Sequence, residues 1–180
     1  MSSESLHTVF YNSPLGILEI SASEKGIVSL YFEGRSPGVK PKTIEAFLPL
    51  AKNILSDCKK QLEEYFNRKR KEFSVPLDLQ GTDFQKGVWN ELLNIPFGKT
   101  ISYLQLAQIL GDRNFIRAVG GANGKNPVSI IVPCHRVIGS NGKLVGYGGG
   151  MEKKKWLLDF ENADRTPSLF PFDLKLSSSI

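Results

Sequence analysis

Short runs of β-branched, aromatic and other apolar residues, mixed with polar positions, recur along the first third of the chain. Three such β-rich runs are His7–Tyr11, Gly16–Ser21 and Ile27–Glu33. Turn-forming residues such as Pro14 and Gly26 stand between them. Runs of this composition between turn residues predict short strands, and short connections predict antiparallel neighbours. The N-terminal part is therefore predicted to form a small antiparallel sheet.

The spacing of apolar residues then becomes helical. After a predicted loop over Gly34–Lys42, a helix is predicted from Thr43 to Arg70. Cys58 falls within the apolar face of this helix and is interpreted as a small buried apolar residue. The basic residues 68–71 either complement the helix macrodipole or form a patch that contacts phosphate.

A change of pattern near residue 80 marks the predicted domain boundary. Phe73–Leu79 is predicted as one more strand, and Gln80-Gly81-Thr82 as a linker. We predict an N-terminal α/β domain over residues 1–80, a mainly helical domain over 81–165 and a tail over 166–180. The apolar residues of the tail favour packing against the rest of the molecule. The predicted fold class is α+β.

Two short helices with a tight connection follow in the second domain. Ser102 and Gln105 form a capping-box pattern that opens the first helix, and Gly111 closes it. Asn114 is predicted as the N-cap of the second helix, which extends from Phe115 to about Asn123. This arrangement predicts a helix-turn-helix.

The second of these helices has two unlike faces. The inner face is predicted to hold Phe115, Ile116 and Val119, and the other face Arg117, Ala118, Gly121 and Ala122. A smooth face beside a cation fits DNA binding through backbone and shape, because it lacks side chains that read base edges. It fits equally well a close helix–helix contact at a seam of small residues. The spacing does not decide between the two.

Composition limits the kind of protein. With 180 residues, 41% of them hydrophobic and 23% charged, the chain is typical of a globular protein. No apolar run reaches the about 18–20 residues of a membrane span, and we expect no secretion signal. Two cysteines and two histidines predict neither a disulfide framework nor an ordinary zinc site. A net charge of +5 is compatible with a nucleic-acid partner but does not establish one.

The candidate chemistry centres on Cys134 and His135, which follow an apolar, strand-like run at Ile130–Val132. A cysteine attacks as its thiolate, and a free thiol with a pKa of about 8.5 is mostly protonated at neutral pH. Neighbouring side chains point in different directions, so a water or a sharp turn must connect the imidazole to the thiol. The pair predicts an activated nucleophile.

A carboxylate and a glycine-rich loop complete the candidate site. Glu161 lies at the edge of the apolar face of a predicted helix, Glu152–Glu161. It is either exposed at the rim or buried as the partner that orients and charges His135. The loop Gly142–Gly150, which carries Tyr147, is suited to line a pocket for a flat ligand, or it is simply a glycine-rich turn.

Several segments of the second half share one resemblance. They are Pro96–Tyr103, Arg117–Ala122, Asn126–Val128, Pro133–Val137, Gly146-Tyr147 and Lys154–Leu158. Together they resemble the O6-alkylguanine-DNA alkyltransferases over residues 84–161, whereas the N-terminal third matches only in general pattern. The resemblance implies a ribonuclease H-like N-terminal domain and a winged-helix-like DNA-binding domain.

The resemblance also implies a reaction. Cys134 would attack the alkyl carbon on guanine O6 and keep the group, so that each molecule acts once. His135 would deprotonate the thiol through a water while Glu161 holds the imidazole. Asn126 would brace the turn that bears the thiol.

Further residues are implied to handle the base and its DNA. Tyr103 would donate a proton toward guanine N3, and Lys154 would assist the leaving group. The lesion lies inside a duplex, so its nucleotide must be flipped out, and Arg117 would fill the gap. Implied DNA contacts are Tyr103, Arg117, Ala118, Gly121 and Ser140, and implied pocket-wall residues are Val137, Tyr147, Gly148 and Asn123.

The implied partner is double-stranded DNA carrying alkylated guanine, bound in the minor groove irrespective of sequence, and O4-alkylthymine is a further expected substrate. No cofactor, metal, membrane or obligate protein partner is implied. We expect a monomer in the cytoplasm, or in the nucleus if the cell is eukaryotic. Gly148 and Asn123 stand where the animal pattern has serine and methionine, and Leu104 replaces a polar DNA contact. These departures bear on the size of the alkyl group that fits.

Three alternatives compete with this interpretation. A relative that binds the lesion without transfer lacks the cysteine, so the presence of Cys134 argues against it. A hydrolase using Cys134, His135 and Glu161 would leave the helix-turn-helix without a purpose. In a small transcription regulator, Cys134 would be structural.

Overall fold

The N-terminal sheet is confirmed and has three strands. A computed structural model describes residues 6–35 and 49–162. Strands β1 (His7–Ser13), β2 (Gly16–Ala22) and β3 (Ile27–Phe32) pair antiparallel in the order β1-β2-β3. Leu18 pairs with Tyr11 on one side and with Phe32 on the other, so apolar residues share one face. The predicted loop beyond residue 35, the first turn of the predicted helix and the tail lie outside the described residues.

Helix α1 (Pro49–Phe66) follows, and its prediction was right in kind but wrong at its end. Its buried residues recur every three or four positions, Ala51, Leu55, Cys58, Gln61, Leu62 and Tyr65. The helix stops before Arg70 because Arg68 adopts a left-handed conformation with φ +59°. The Lys69 amide then donates to the Glu64 carbonyl at 2.8 Å, which is a Schellman-type helix end.

The strand predicted over Phe73–Leu79 is wrong, because the segment makes only one parallel bridge, between Leu77 and Ile27. Pro76 cannot donate to a ladder, although its carbonyl accepts from the Ile27 amide at 2.8 Å. The backbones approach closely here, since a Cβ on Gly26 would lie 2.7 Å from the Leu77 carbonyl carbon. The segment therefore lies along the sheet without extending it.

The chain divides into two compact units. Of the described residues, the first unit holds those up to Thr82 together with Asn126–Ile131, and the second holds the others from Asp83 to Asn162. The predicted division at residue 80 placed Asn126–Ile131 in the second domain. Backbone hydrogen bonds account for their place in the first unit, because the Leu30 amide donates to Pro127 and the Ser129 amide donates to Leu30.

The second unit is mainly helical, as predicted. Its elements are α2 (Asp83–Leu93), β4 (Ile101–Ser102), α3 (Tyr103–Ile109), α4 (Ile116–Gly124), β5 (Val137–Ile138) and α5 (Met151–Phe160). The short strands β4 and β5 pair in parallel and bring the start of α3 beside the chain that follows Cys134. Among the described residues, no helix has the length and apolarity needed to cross a membrane. The α+β fold class is thus confirmed.

Candidate functional site: a thiol beside a buried charged cluster

The backbone bends sharply on both sides of the segment that leads to Cys134, so the strand-like run predicted at Ile130–Val132 is wrong. Ile130 has φ +72°, and the Ile131 amide donates to Ser129 at 2.9 Å, which is a γ-turn with positive φ. The Cys134 amide donates to the Val132 carbonyl at 2.8 Å, forming a second γ-turn. Positive φ is strained for a β-branched residue, so packing must hold this conformation.

Cys134 begins a single 3-10 turn, Cys134–Arg136, that leads into β5. The cysteine is only 4% exposed, and the next two side chains are buried as well. A buried turn that carries a thiol, an imidazole and a guanidinium needs partners for its polar atoms, because unpaired buried charge is costly. Those partners come from α5 and from the chain before β4.

His135 is completely buried and pairs with one carboxylate. Its Nε2 lies 3.0 Å from Glu161 Oε1, so Nε2 carries the proton and donates to the carboxylate. Nδ1 is then the basic nitrogen, and it has no hydrogen-bond partner among the described residues. Burial lowers the pKa of His135 despite the opposing effect of Glu161, so the ring is neutral at pH 7. A neutral imidazole whose Nδ1 lone pair accepts no hydrogen bond from the described residues can accept a proton.

Glu161 caps the C-terminal end of α5 and is 2% exposed, so the interpretation of a rim residue is wrong. Its carboxylate accepts from His135, from two nitrogens of Arg136 at 2.9 Å each, and from the Gly98 amide at 3.2 Å. Burial alone would raise the pKa of Glu161, but His135 and Arg136 hold that pKa well below its usual range. Because His135 is neutral, Arg136 is the permanent charge that keeps Glu161 ionised.

Arg136 is the site residue that sequence reasoning missed. It is 6% exposed, and its Nη1 also donates to the Ile95 carbonyl at 2.5 Å. The available signal was its position, directly after His135 in an apolar segment where an unpaired guanidinium is not tolerated. A buried guanidinium needs a buried acid as its partner. From the sequence alone, the candidate acid, Glu161, is paired with His135 only.

Lys154 is buried on α5 and binds backbone carbonyls. Its ammonium donates to Val137 at 2.6 Å, to Val145 at 2.7 Å and to Gly146 at 3.2 Å. Burial lowers the pKa of Lys154 to about 8. Nζ also lies 5.8 Å from the centre of the Tyr103 ring. The lysine thus ties the glycine-rich loop to β5, next to the thiol turn.

Tyr103 opens α3 and points its hydroxyl toward α4. Asn123 Nδ2 lies 3.2 Å from this hydroxyl and 3.4 Å from the Cys134 carbonyl, while the hydroxyl itself donates to Val145 at 3.4 Å. Burial raises the pKa of Tyr103 to about 12, so the phenol keeps its proton at physiological pH. A protonated phenol, an amide and the thiol-bearing turn therefore meet in the second unit.

The capping box at the start of α3 is confirmed, because Ser102 Oγ accepts from the Gln105 amide and Gln105 Oε1 accepts from the Ser102 amide. The N-cap predicted at Asn114 is wrong. Asp112 instead caps a 3-10 turn, Arg113–Phe115, by accepting from the Asn114 amide at 2.8 Å. Helix α4 begins only at Ile116 and has no side-chain cap.

The faces of α4 differ from the prediction at three positions. Phe115 and Ile116 are 39% and 40% exposed, whereas Ala122 is buried and its carbonyl accepts from Trp89 Nε1 at 2.9 Å. Phe115 finds an aromatic partner instead, because its ring lies edge-on to Phe84. The predicted DNA residues Arg117, Ala118 and Gly121 are exposed on α4, and Ser140 is exposed beyond β5.

Both halves of the chain match models of known protein families. The family of 6-O-methylguanine DNA methyltransferase DNA binding domains matches residues 83–163, and the ribonuclease-like domain of the same enzymes matches residues 6–79. The chain belongs to the methylated-DNA–protein-cysteine methyltransferase family. The predicted resemblance and the ribonuclease-like character of the first domain are confirmed.

Individual relatives of this family cover nearly the whole chain. A methylated-DNA–protein-cysteine methyltransferase of Mycobacterium leprae is 40% identical over 168 residues, which is 93% of this chain and 99% of the relative. One of Methanosarcina barkeri is 44% identical over 149 residues, or 83% of this chain and 92% of the relative. A crystal structure of Mycobacterium tuberculosis OGT in complex with DNA has a TM-score of 0.75 at 41% identity and covers 91% of this chain and 95% of that one.

The remaining residues implied by membership of the family are distributed over both units. Val137 is buried, Tyr147 is half-buried and Gly148 is exposed in the loop before α5. Asn126 belongs to the first unit, where its Oδ1 accepts from the Val128 amide at 3.0 Å. Among the described residues, no group of three or more histidine, cysteine or acidic side chains is placed to hold a metal ion.

Proposed function

We propose that this protein repairs O6-methylguanine in DNA by moving the methyl group to Cys134. The observation that carries the proposal is the buried His135–Glu161–Arg136 cluster directly after the thiol, in a chain of a family named for transfer to cysteine. Arg136 keeps Glu161 ionised, Glu161 fixes the His135 tautomer, and Nδ1 remains as a base. A water between Nδ1 and the thiol carries the proton.

The bonds balance in a single displacement. The Cys134 sulfur forms a bond to the methyl carbon while the bond from that carbon to guanine O6 breaks. The electron pair stays on the guanine, which takes up a proton at N3 from Tyr103 as its negative charge develops. Lys154 has a pKa of about 8, so it is an ammonium below that pH. This positive charge stabilises the negative charge that develops on the leaving guanine.

The DNA is bound by the exposed face of α4. Ala118 and Gly121 let the helix backbone approach the minor groove, and Arg117 occupies the space that the flipped nucleotide leaves. Ser140 contacts the DNA backbone, while Val137, Tyr147, Gly148 and Asn123 surround the base. These contacts read no base edges, so binding is independent of sequence. The proposal includes action as a monomer, in the cytoplasm of a prokaryotic cell or in the nucleus of a eukaryotic one.

The product is a thioether, which His135 cannot hydrolyse, so each molecule acts once. This feature separates the proposal from a hydrolase built on the same three side chains. Incubation with duplex DNA carrying O6-[methyl-³H]guanine, followed by proteolysis, is expected to place label on the Cys134 peptide at no more than one methyl per protein. Cys134→Ala is expected to lose all label.

Cys58→Ala is the matched control, because the chain has two cysteines and both are buried. It is expected to accept label like the unmodified protein. Label on Cys58, release of the methyl group over several turnovers, or tight binding of the lesion without transfer would each overturn the proposal.

A further inference from the structure

Asn123 sits where two parts of the proposed chemistry meet. It lies near the end of α4, is 2% exposed and contacts both the Tyr103 hydroxyl and the carbonyl of Cys134 through Nδ2. A side-chain amide in so buried a position needs hydrogen-bond partners, and both of these contacts are made by its nitrogen.

The Cys134 carbonyl fixes which way the amide faces. A backbone carbonyl can only accept a hydrogen bond, so the nitrogen of Asn123, and not its oxygen, must lie toward it. The same nitrogen lies 3.2 Å from the Tyr103 hydroxyl, which must then act as the acceptor in that contact. The hydroxyl has a single proton, and Asn123 leaves that proton free for another partner.

Within the described part of the chain, the other partner of the Tyr103 hydroxyl is the Val145 carbonyl at 3.4 Å. That distance is long for a hydrogen bond from a hydroxyl, which is usually about 2.7–2.8 Å. The proton is thus weakly held before substrate binds and can turn to a better acceptor. Tyr103 retains the proton at neutral pH because burial raises its pKa to about 12.

A packing role alone does not account for Asn123. Its Oδ1 is buried and has no hydrogen-bond partner among the described residues, although buried side-chain oxygens are usually paired. An apolar side chain of similar size would fill the same space without leaving a polar atom unsatisfied. The amide is therefore retained at a cost, which is a common property of residues that serve a reaction.

We infer that Asn123 is a positioning residue that makes the Tyr103 hydroxyl accept from the protein, so that its proton is directed to N3 of the departing guanine. The inference rests on the proposed function, in which Tyr103 is the proton donor. Asn123 also lines the proposed base pocket, but its effect on proton donation is exerted through Tyr103. It also links the donor to the backbone of the nucleophile, so that both are fixed relative to one another.

The test compares single-turnover methyl transfer from O6-methylguanine and from O6-methyl-3-deazaguanine, which lacks the N3 acceptor. The unmodified protein is expected to be about tenfold slower with the 3-deaza base, and Tyr103→Phe to be slow with both bases. Asn123→Leu is expected to be about tenfold slower with guanine and to lose most of the difference between the two bases. In a Tyr103→Phe background, Asn123→Leu should have no further effect.

A purely structural role for Asn123 would slow both bases alike and add to Tyr103→Phe, and either result overturns the inference. So does a wild-type rate for Asn123→Leu. Asn123→Met, whose unbranched apolar side chain has no hydrogen-bond donor, provides the same comparison if the leucine variant does not fold. Failure of the proposed function has a different signature, because the unmodified protein would then place no label on Cys134.

Discussion

The surroundings of the two cysteines differ although both side chains are buried. Cys58 is 0% exposed and Cys134 is 4% exposed. Cys58 lies on the apolar face of α1, where burial raises its pKa to about 12 and the charge of Asp57 acts in the same direction. Its neighbours therefore favour the protonated thiol, which is a poor nucleophile. In α1 the sulfur serves as packing.

Cys134 instead lies among ionisable groups. His135 and Arg136 follow it in the chain, and α5 adds Lys154 and Glu161, all of them buried. A negative charge on the Cys134 sulfur raises the pKa of Lys154, so the two groups interact electrostatically. Below about pH 8, where Lys154 is also protonated, the two cations Arg136 and Lys154 outnumber the carboxylate of Glu161 and leave excess positive charge next to the thiol. What distinguishes the two sulfurs is therefore the charge beside them rather than their burial.

The largest expected effect comes from removing the charge that the cluster is built around. Glu161→Gln keeps the shape of the side chain but leaves Arg136 buried without its anion. Breaking a buried ion pair in this way costs about 3–5 kcal/mol of the free energy of unfolding. We expect methyl transfer to fall by at least about a hundredfold, because His135 also loses the carboxylate that stabilises its protonated form.

Tryptophan fluorescence measures the unfolding of the unit that contains Glu161, since Trp89 and Trp156 both lie in the second unit. Glu152→Gln is the matched control, because Glu152 is an exposed acid on the same helix. It is expected to change the free energy of unfolding by less than about 0.5 kcal/mol. Equal effects of the two variants on the free energy of unfolding would show that Glu161 does not stabilise the buried cluster.

Features set by neighbouring residues could be predicted from the sequence. The alternation in β2 and the three-to-four spacing in α1 each report one buried face, and the Ser102–Gln105 capping box closes over three residues. Cys134 and His135 were found because the chemistry lies in adjacent residues. The family resemblance added the roles of residues that no spacing rule connects, such as Tyr103.

Features set by distant contacts could not be predicted. Glu161 was left between rim and interior because its burial depends on Arg136, which lies 25 positions away in the chain. The apolar run at Ile130–Val132 has the composition of a strand, but Ile130 takes a positive φ that only the surrounding packing can impose. The direction of the amide of Asn123 depends likewise on the carbonyl of Cys134, eleven residues later.

A smaller effect is expected from Lys154→Met, which keeps an unbranched side chain of nearly the same length and removes its charge. Three carbonyl contacts are lost, and of these the buried Val137 carbonyl costs about 1–3 kcal/mol when it is left without a donor. The loop that carries Val145 should loosen, and methyl transfer should fall about tenfold. Lys155→Met is the control, because Lys155 lies on the same helix, is exposed and forms an ion pair with Asp159 at the surface. If both variants behave alike, the loop does not depend on the buried ammonium.

The smallest effect is a pH dependence of the free energy of unfolding that arises from His135, beside Cys134. The pKa of His135 is lowered by burial, so the unfolded chain binds its proton more tightly than the folded one. Above the unfolded pKa of about 6.5, His135 is neutral in both states and does not reduce the free energy of unfolding. As the pH falls below that value, the free energy of unfolding falls by up to about 1.4 kcal/mol per pH unit. Urea titrations followed by tryptophan fluorescence between pH 7.5 and 5.5 measure this slope. His135→Asn should flatten it, whereas His7→Asn should leave it unchanged. The reverse result would mean that the imidazole of His135 is not held neutral, and the cluster would then have no base to offer the thiol.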